Sequence, residues 1–301
     1  MGIDTNLPEN LSLFPGRLLS KAHCRKRPVF TSNISPTARL FTRAHKRRFG
    51  DVFRVIIMTS ATRHQLCQNQ LLAVLREEDH FRLQPHIHAI EMPAGGILQH
   101  AGEDVIDTWF PCGAALASFC ITNPQGQSVD VGFIGREGAL GGIVSNGHVP
   151  AYATAVVRAP GTFLRIKTTA LEQAKVDSLA LRHWFSRYSD CLLAQVFQTA
   201  ACNATHTIKQ RIAKLILGGH ARTGETAFPL TQEQLADMLG VGRTFISRVI
   251  GTMRAEGVIE SRRGTMIIRD LPKLRSESCT CAASIEDHFD IVLHGIYPPP
   301  V

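Results

Sequence analysis

Pro229-Leu230-Thr231-Gln232-Glu233-Gln234-Leu235-Ala236-Asp237-Met238-Leu239-Gly240-Val241-Gly242-Arg243 reads as the first helix of a helix-turn-helix and the start of its second. Thr231 is placed to cap the first helix, and Gln234, three residues on, is the reciprocal partner of a capping box. Leu235, Ala236 and Leu239 share the face to be buried. Gly240 supplies the tight turn, since a residue without Cβ takes positive φ at a helix C-terminus without strain. Val241 plugs the gap between the helices. The second helix is expected from about residue 243 to 256, with Ile246, Val249, Ile250 and Met253 inward.

That register leaves Arg243, Thr244, Ser247 and Arg248 on the outward face of the second helix, where a recognition helix meets base edges in the major groove. Arginine suits the task because its planar fork can donate two bonds to guanine O6 and N7. Gly257 ends the helix. Residues 258–260 and 266–269 then form a two-stranded wing whose tip, Ser261-Arg262-Arg263-Gly264-Thr265, is placed to touch phosphate. Thr231, Gln232, Arg243, Thr244, Ser247, Arg248, Arg262 and Arg263 are the candidate DNA contacts. The charge agrees: residues 204–275 hold 12 Lys/Arg against 6 Asp/Glu, whereas 58–203 hold 10 against 12.

Upstream of this winged helix, 204–275, the long stretch from Leu179 to about Ala201 is helical in period. Phe185, Leu192 and Thr199 lie seven apart, as do Leu181, Tyr188 and Gln195, so residues 178–203 read as a helix pairing with its own copy; the same stripe would also serve packing on its own chain. Residues 58–177 change from short helices around Leu71, Leu72, Leu75 and Leu83 to strands over 86–91, 96–99, 107–110, 115–121, 128–135, 151–158 and 162–167. Asn123-Pro124-Gln125-Gly126 is a hairpin turn between two of them. Such spacing indicates an antiparallel sandwich or barrel. The fold class is therefore α+β: an antiparallel β domain, a long helix placed for dimerisation and a C-terminal winged helix-turn-helix.

Residues 1–57 hold 11 Lys/Arg against 3 Asp/Glu without a sustained period, and read as a basic, disordered extension. Met58-Thr59-Ser60 reads as the opening of a helix, so Met58 is an alternative start. The acidic tail 276–301, with Phe289, Ile291 and Val292, is expected to fold back on the winged helix. An apolar content of 44% with 19% charged residues is that of a globular chain, not a disordered or fibrous one. No apolar run reaches the ~18 residues of a membrane span, and no signal-peptide pattern opens the chain, so a cytoplasmic location is expected. Eight scattered cysteines form no disulfide framework. Cys279-Thr280-Cys281 is structural or incidental, and no metal or other cofactor is expected.

An N-terminal β-roll, a long helix and a winged helix containing Leu-Thr-Gln-Glu-x-Leu-Ala-x-Met-Leu-Gly-Val-x-Arg resemble the Crp/Fnr superfamily of transcription regulators over roughly residues 62–290. The resemblance implies that Arg243 and Arg248 read bases, that the chain acts on duplex DNA as a homodimer, and that RNA polymerase is a further partner. Thr244 stands where the best-known members carry Glu, so the family's standard half-site does not carry over at that base pair. Arg136-Glu137-Gly138-Ala139-Leu140 resembles the family's cyclic-nucleotide turn, but Ala153-Thr154 takes the place of its Arg-Ser pair. A buried phosphate without a guanidinium is costly, so cyclic AMP is not the expected ligand. Glu137, Gly138, Leu140 and Thr154 are the candidate pocket for an unidentified small-molecule effector. Cys24 and Cys67 are too isolated for the family's iron–sulfur cluster, and none of the thirteen histidines is singled out as a haem ligand.

Two other classes compete with a regulator. His86, His88 and Glu91 resemble the metal site of cupin-type oxygenases, which would make the chain a metal-dependent enzyme. The Glu follows too soon for that pattern, and alternation with Ile87 and Ala89 puts the two histidines opposite the core. A binding scaffold without DNA is the third class; it would survive loss of Arg243 and Arg248.

Overall fold

The computed structural model describes residues 59–124, 128–143 and 149–294. The basic segment 1–57, the start at Met58 and the Gln125-Gly126 half of the hairpin turn lie outside those residues. Strand β1 (Thr59–Ser60) is followed by helices α1 (Arg63–Leu66), α2 (Gln70–Ala73) and α3 (Glu77–Leu83) and a 3-10 turn over Gln84–His86. Then come strands β2 (His88–Met92), β3 (Ile97–Gln99), β4 (Asp107–Pro111), β5 (Leu116–Thr122), β6 (Ser128–Ile134), β7 (Thr154–Ala159) and β8 (Gly161–Lys167). Helices α4 (Thr168–Asp177) and α5 (Leu179–Thr205) lead to α6 (Ile208–Thr223), β9 (Ala227–Pro229), α7 (Gln232–Leu239), α8 (Arg243–Ala255), β10 (Ile259–Arg262), β11 (Thr265–Ile268), α9 (Leu271–Glu277) and α10 (Cys281–Leu293).

Strands of the N-terminal half form two antiparallel sheets, ordered β1-β2-β8-β4 and β3-β7-β5-β6. The first sheet has apolar residues on both faces. Ile90, Trp109 and Phe163 pack between the two sheets, while their neighbours Ala89, Phe110 and Leu164 pack against Leu71, Leu171, Trp184 and Phe185 of the helices. This corrects the reading of His86 and His88 as strand residues opposite the core. No face of β2 is opposite the core; His86 lies in the 3-10 turn and His88 is half-buried. Thr59 and Ser60 do not open a helix either: they pair with Ala89 and His88, and the helix starts after Thr62, which forms a capping box with Gln65.

Helix α5 seats its inner stripe in its own domain. Leu181, Phe185 and Tyr188 are fully buried, so these residues of the expected pairing seam are already used within the chain. A different face remains exposed, carrying Leu193, Val196 and Phe197. The C-terminal tail is also corrected. Helix α10 lies mainly along α5, with Phe289 and Leu293 against the first core, and makes only a smaller contact with the winged helix, at α6. The Phe289 ring meets Tyr188 edge-on at 6.4 Å, and Arg187 Nη1 donates to Val292 O at 2.9 Å.

The winged helix has a core of its own around Phe228, Leu235, Ile246, Ile250, Met253 and Met266. Its sheet has three strands, β10-β11-β9, one more than the sequence suggests. The added strand, Ala227-Phe228-Pro229, is short and contains proline, which has no amide to donate and suits an edge. Leu116, Phe133 and Ala159 of the roll complete the winged-helix core, so the two halves share an apolar contact.

Candidate nucleic-acid interface

Each end of α7 is fixed as its residues require. Gln234 N donates to Thr231 Oγ1 at 3.0 Å and Thr231 N donates to Gln234 Oε1 at 2.8 Å, which satisfies two amides that a helix start leaves free. At the other end Gly240 takes φ +66° and its amide returns to Ala236 and Asp237. Val241 packs half-buried in the gap.

Helix α8 follows with Ile246, Ile250 and Met253 buried. At 3.6 residues per turn, Thr244, Arg248, Gly251 and Ala255 share the opposite face. Arg243, Thr244, Ser247 and Arg248 are all exposed. Phe245, which the sequence reading did not single out, is 44% exposed beside them. An apolar residue out of step with the buried stripe was the available signal. Ser247 Oγ donates to Gln232 Oε1 at 2.7 Å, linking α8 to the first turn of α7. Thr231 and Gln232 are thus half-buried and engaged within the protein, as a cap and as a brace for Ser247.

The wing turns through two residues. Arg262 pairs with Thr265, and between them Arg263 and Gly264 both have positive φ, 45° and 80°. The primed turn matches the twist of a hairpin, with Arg263 projecting from its tip. Arg262 is largely exposed but forms an ion pair with Glu260, which also pairs with Arg269. These guanidiniums, Arg269 foremost, hold the Glu260 carboxyl below its ordinary value. Of the two tip arginines, Arg262 therefore has part of its charge answered within the wing.

The four candidate effector residues do not surround one cavity. Glu137 accepts from Gly135 N at 3.1 Å and forms an ion pair with Arg222 Nε of α6 at 2.8 Å. Gly138 lies against Tyr188, whose Oη a Cβ at that position would approach to 2.2 Å. Tyr188 Oη accepts from Ala139 N and donates to Ala139 O, and burial raises its pKa. Leu140 is wholly buried and bridges Trp109. Thr154 Oγ1 accepts from Ala101 N at 3.2 Å on another part of the roll. The Glu137 turn thus joins roll to winged helix, and a cleft of about 260 Å³ between β6, α5, α6, α7 and α10 is lined by its partner Arg222 but by none of the four.

His86, His88 and Glu91 do not converge as ligands; Glu91 instead accepts from Thr162 across the sheet. Cys279 and Cys281, by contrast, come together in the fold with Cys202 and His206.

Residues 210–277 match the Crp-like helix-turn-helix domain. No curated protein matches the sequence significantly. Among solved structures, FixK2 from Bradyrhizobium japonicum superposes with a TM-score of 0.55 at 14% identity, covering 64% of this chain and 98% of its own. A CRP-family transcriptional regulator from Thermus thermophilus gives 0.53 at 17%, over 62% and 95%. The c-di-GMP-responsive global regulator CLP of Xanthomonas campestris gives 0.53 at 15%, over 65% and 100%. At these identities the likeness is one of fold: a β-roll, a long helix and a C-terminal helix-turn-helix.

Proposed function

We propose that this chain, which carries a Crp-like helix-turn-helix domain at 210–277 on the fold of Crp/Fnr regulators, is a transcription regulator that reads duplex DNA as a homodimer. The observation that carries this is the outer face of α8. It presents Arg243, Thr244, Ser247 and Arg248 to solvent over a stripe of Ile246, Ile250 and Met253 that anchors the helix. Arg248, central on that face, donates to guanine O6 and N7; Phe245 offers apolar contact to a thymine methyl; Arg263 meets phosphate from the wing. Two copies joined along α5 place their α8 helices one DNA turn apart on an inverted repeat.

Cyclic AMP is not the signal in this reading. Thr154 is engaged with Ala101, and Arg158 of the same strand is held by Ser118 Oγ at 2.7 Å and by Asp130. A metal-dependent enzyme finds no support at His86, His88 and Glu91, whose ligand atoms do not come together and whose carboxylate is engaged by Thr162. No helix of the described residues is long and apolar enough to cross a membrane, which suits a cytoplasmic protein with RNA polymerase as its further partner.

Selection of bound fragments from random duplex DNA, over a salt series and with or without cyclic AMP, tests the reading. The expected outcome is an enriched inverted repeat whose affinity falls with salt and ignores the nucleotide. Salt-sensitive binding with no enriched sequence would overturn it. On the selected site Arg248→Ala should cost about 1–3 kcal/mol and relax preference at one base pair, while Arg263→Ala should weaken all sequences alike and lower the salt slope by about 1. Equal loss on specific and random DNA for Arg248→Ala would remove its base-reading role.

A further inference from the structure

Four ligand-type side chains meet where α5 ends. Cys202 lies in the last turn of α5, His206 is the extended residue that closes it, Cys279 lies in the link between α9 and α10, and Cys281 is the first residue of α10. Their three Sγ atoms and one imidazole nitrogen all lie within 4.8 Å of one another. Cys202 Sγ is 3.6 Å from Cys279 Sγ, and Cys281 Sγ is 3.6 Å from His206 Nδ1. The cysteines are buried and His206 half-buried at the rim.

We propose that Cys202, His206, Cys279 and Cys281 form a mononuclear, tetrahedral site for zinc or a similarly soft divalent transition metal. With metal–sulfur bonds of about 2.3 Å and metal–nitrogen bonds of about 2.0–2.1 Å, the edges of such a tetrahedron come to about 3.8 Å between sulfurs and about 3.5 Å between sulfur and nitrogen. Both separations found here, 3.6 Å, fit those edges. Three sulfurs and an imidazole select a soft or borderline ion over magnesium or calcium, which take oxygen. An iron–sulfur cluster would insert several irons and sulfides between its ligands and hold them further apart. The Cys202–Cys279 separation is far longer than a disulfide bond of about 2.05 Å. The surroundings also fit. Gln198 Nε2 donates to Cys281 Sγ at 3.1 Å, the outer-shell bond that steadies a ligating thiolate. Lys214 lies close enough to Cys202 to offset the surplus negative charge of three thiolates on a divalent ion.

Such a metal ties two pieces of chain that local sequence does not hold together: the end of the long helix with the break that follows it, and the start of α10. Metal binding by ligands 77 residues apart couples directly to the folding of what they join. The site holds α10 against α5 and fixes the angle at which α6 leaves it. It stands independently of what the winged helix binds.

Elemental analysis of the full chain, purified under reducing conditions without chelator or affinity metal, should give one zinc per chain. After stripping, titration of the unaltered chain with cobalt(II) should saturate at one equivalent, with the d–d and sulfur-to-cobalt charge-transfer bands of a tetrahedral thiolate site. Because this step needs no variant, it does not depend on a substituted chain folding. Cys279→Ser and Cys281→Ser should each weaken or abolish those bands, whereas Cys120→Ser on β5 should leave them intact. Stripping should raise amide exchange across 281–293. Lack of stoichiometric metal together with an octahedral cobalt spectrum would overturn the site, as would metal retained in both serine variants or a Cys202–Cys279 disulfide in protein shielded from oxidant. Unchanged exchange on stripping would overturn the tie to α10.

Discussion

Asn69 has no exposed surface, and every polar atom of its side chain is engaged. Oδ1 accepts from Leu71 N and Leu72 N, capping α2, while Nδ2 donates to Pro111 O and Gly138 O, both at 2.9 Å. Asn69→Asp keeps the cap but turns an oxygen toward two carbonyls, so it should lose as much stability as Asn69→Ala, about 2–4 kcal/mol in urea unfolding. A clear advantage of Asp over Ala would show that the cap alone matters. His80 is buried in α3, and desolvation lowers its pKa, helped by Arg63 and opposed by Asp79 and Glu77. The unfolded chain, with histidine near 6.5, then binds the proton more tightly. This contribution to stability is full above about pH 6.5 and lost as pH falls below it toward the folded value. Unfolding free energies at pH 7.5 and 5.5 should differ less in His80→Gln than in the parent; an equal difference would assign the loss to other groups. Asn69 was not legible in the sequence, because a polar side chain satisfied by backbone groups from distant turns leaves no local pattern, and the burial of His80 follows only from how α3 packs. The α8 arginines were legible because their place follows from a period within one helix.

Elements whose identity depends on local chemistry were read nearly to the residue. Helices α7 and α8 follow from the Thr231–Gln234 box, Gly240 and the buried stripe. A Cβ at Gly240 would meet nothing within 4 Å, so the cost of Gly240→Ala is that of a positive φ alone, about 1–2 kcal/mol, and Gly240→Asn should recover part of it. At Gly138 the backbone is not the issue: a Cβ would lie 2.2 Å from Tyr188 Oη and 2.9 Å from Ile134 Cγ2. Gly138→Ala should therefore destabilise by about 1–3 kcal/mol, and Tyr188→Phe in the same chain should return part of that by vacating the space. Thermal unfolding of the four variants separates the cases; no recovery in the Gly138→Ala, Tyr188→Phe pair would place the strain elsewhere. Alternation misled at β2 for a related reason. Period two identifies a core face only when the other face is wet, and here Ala89 meets helices while Ile90 meets the second sheet. The C-terminal helix was missed because its partners, α5 and the cysteine–histidine group, lie far away in sequence. Cys279-x-Cys281 was visible as a spacing but read as structural or incidental, and Cys202-x3-His206 was not singled out; only the fold joins them.

The arrangement of the whole chain decides which face the proposed dimer can use. The inner stripe of α5 is spent on the roll, and α10 covers a further part of the helix, with Phe289 against Tyr188. What remains is the face bearing Leu193, Val196 and Phe197, exposed by 51%, 62% and 64%. Burying the exposed half or so of such side chains against a symmetry-related set is worth about 1–2 kcal/mol each, and doubled across a two-fold axis this would be a substantial drive to pair. Helix α5 is also coupled to the winged-helix half. Gln195 of α5 accepts from Arg222, whose Nε donates to Phe133 O and pairs with Glu137. The angle between α5 and α6 is thus braced by the roll as well as by covalent connection. Because Phe197 is exposed in the single chain, Phe197→Glu should leave its folding intact while setting like charges together across the axis. Sedimentation should show the variant as a monomer at concentrations where the parent is a dimer. Its affinity for one half-site should be preserved while its affinity for the inverted repeat falls by ten-fold or more, about 1.4 kcal/mol or greater. A variant that remains dimeric would move the interface to another face; a parent chain that is monomeric yet protects both half-sites would remove α5 from the assembly.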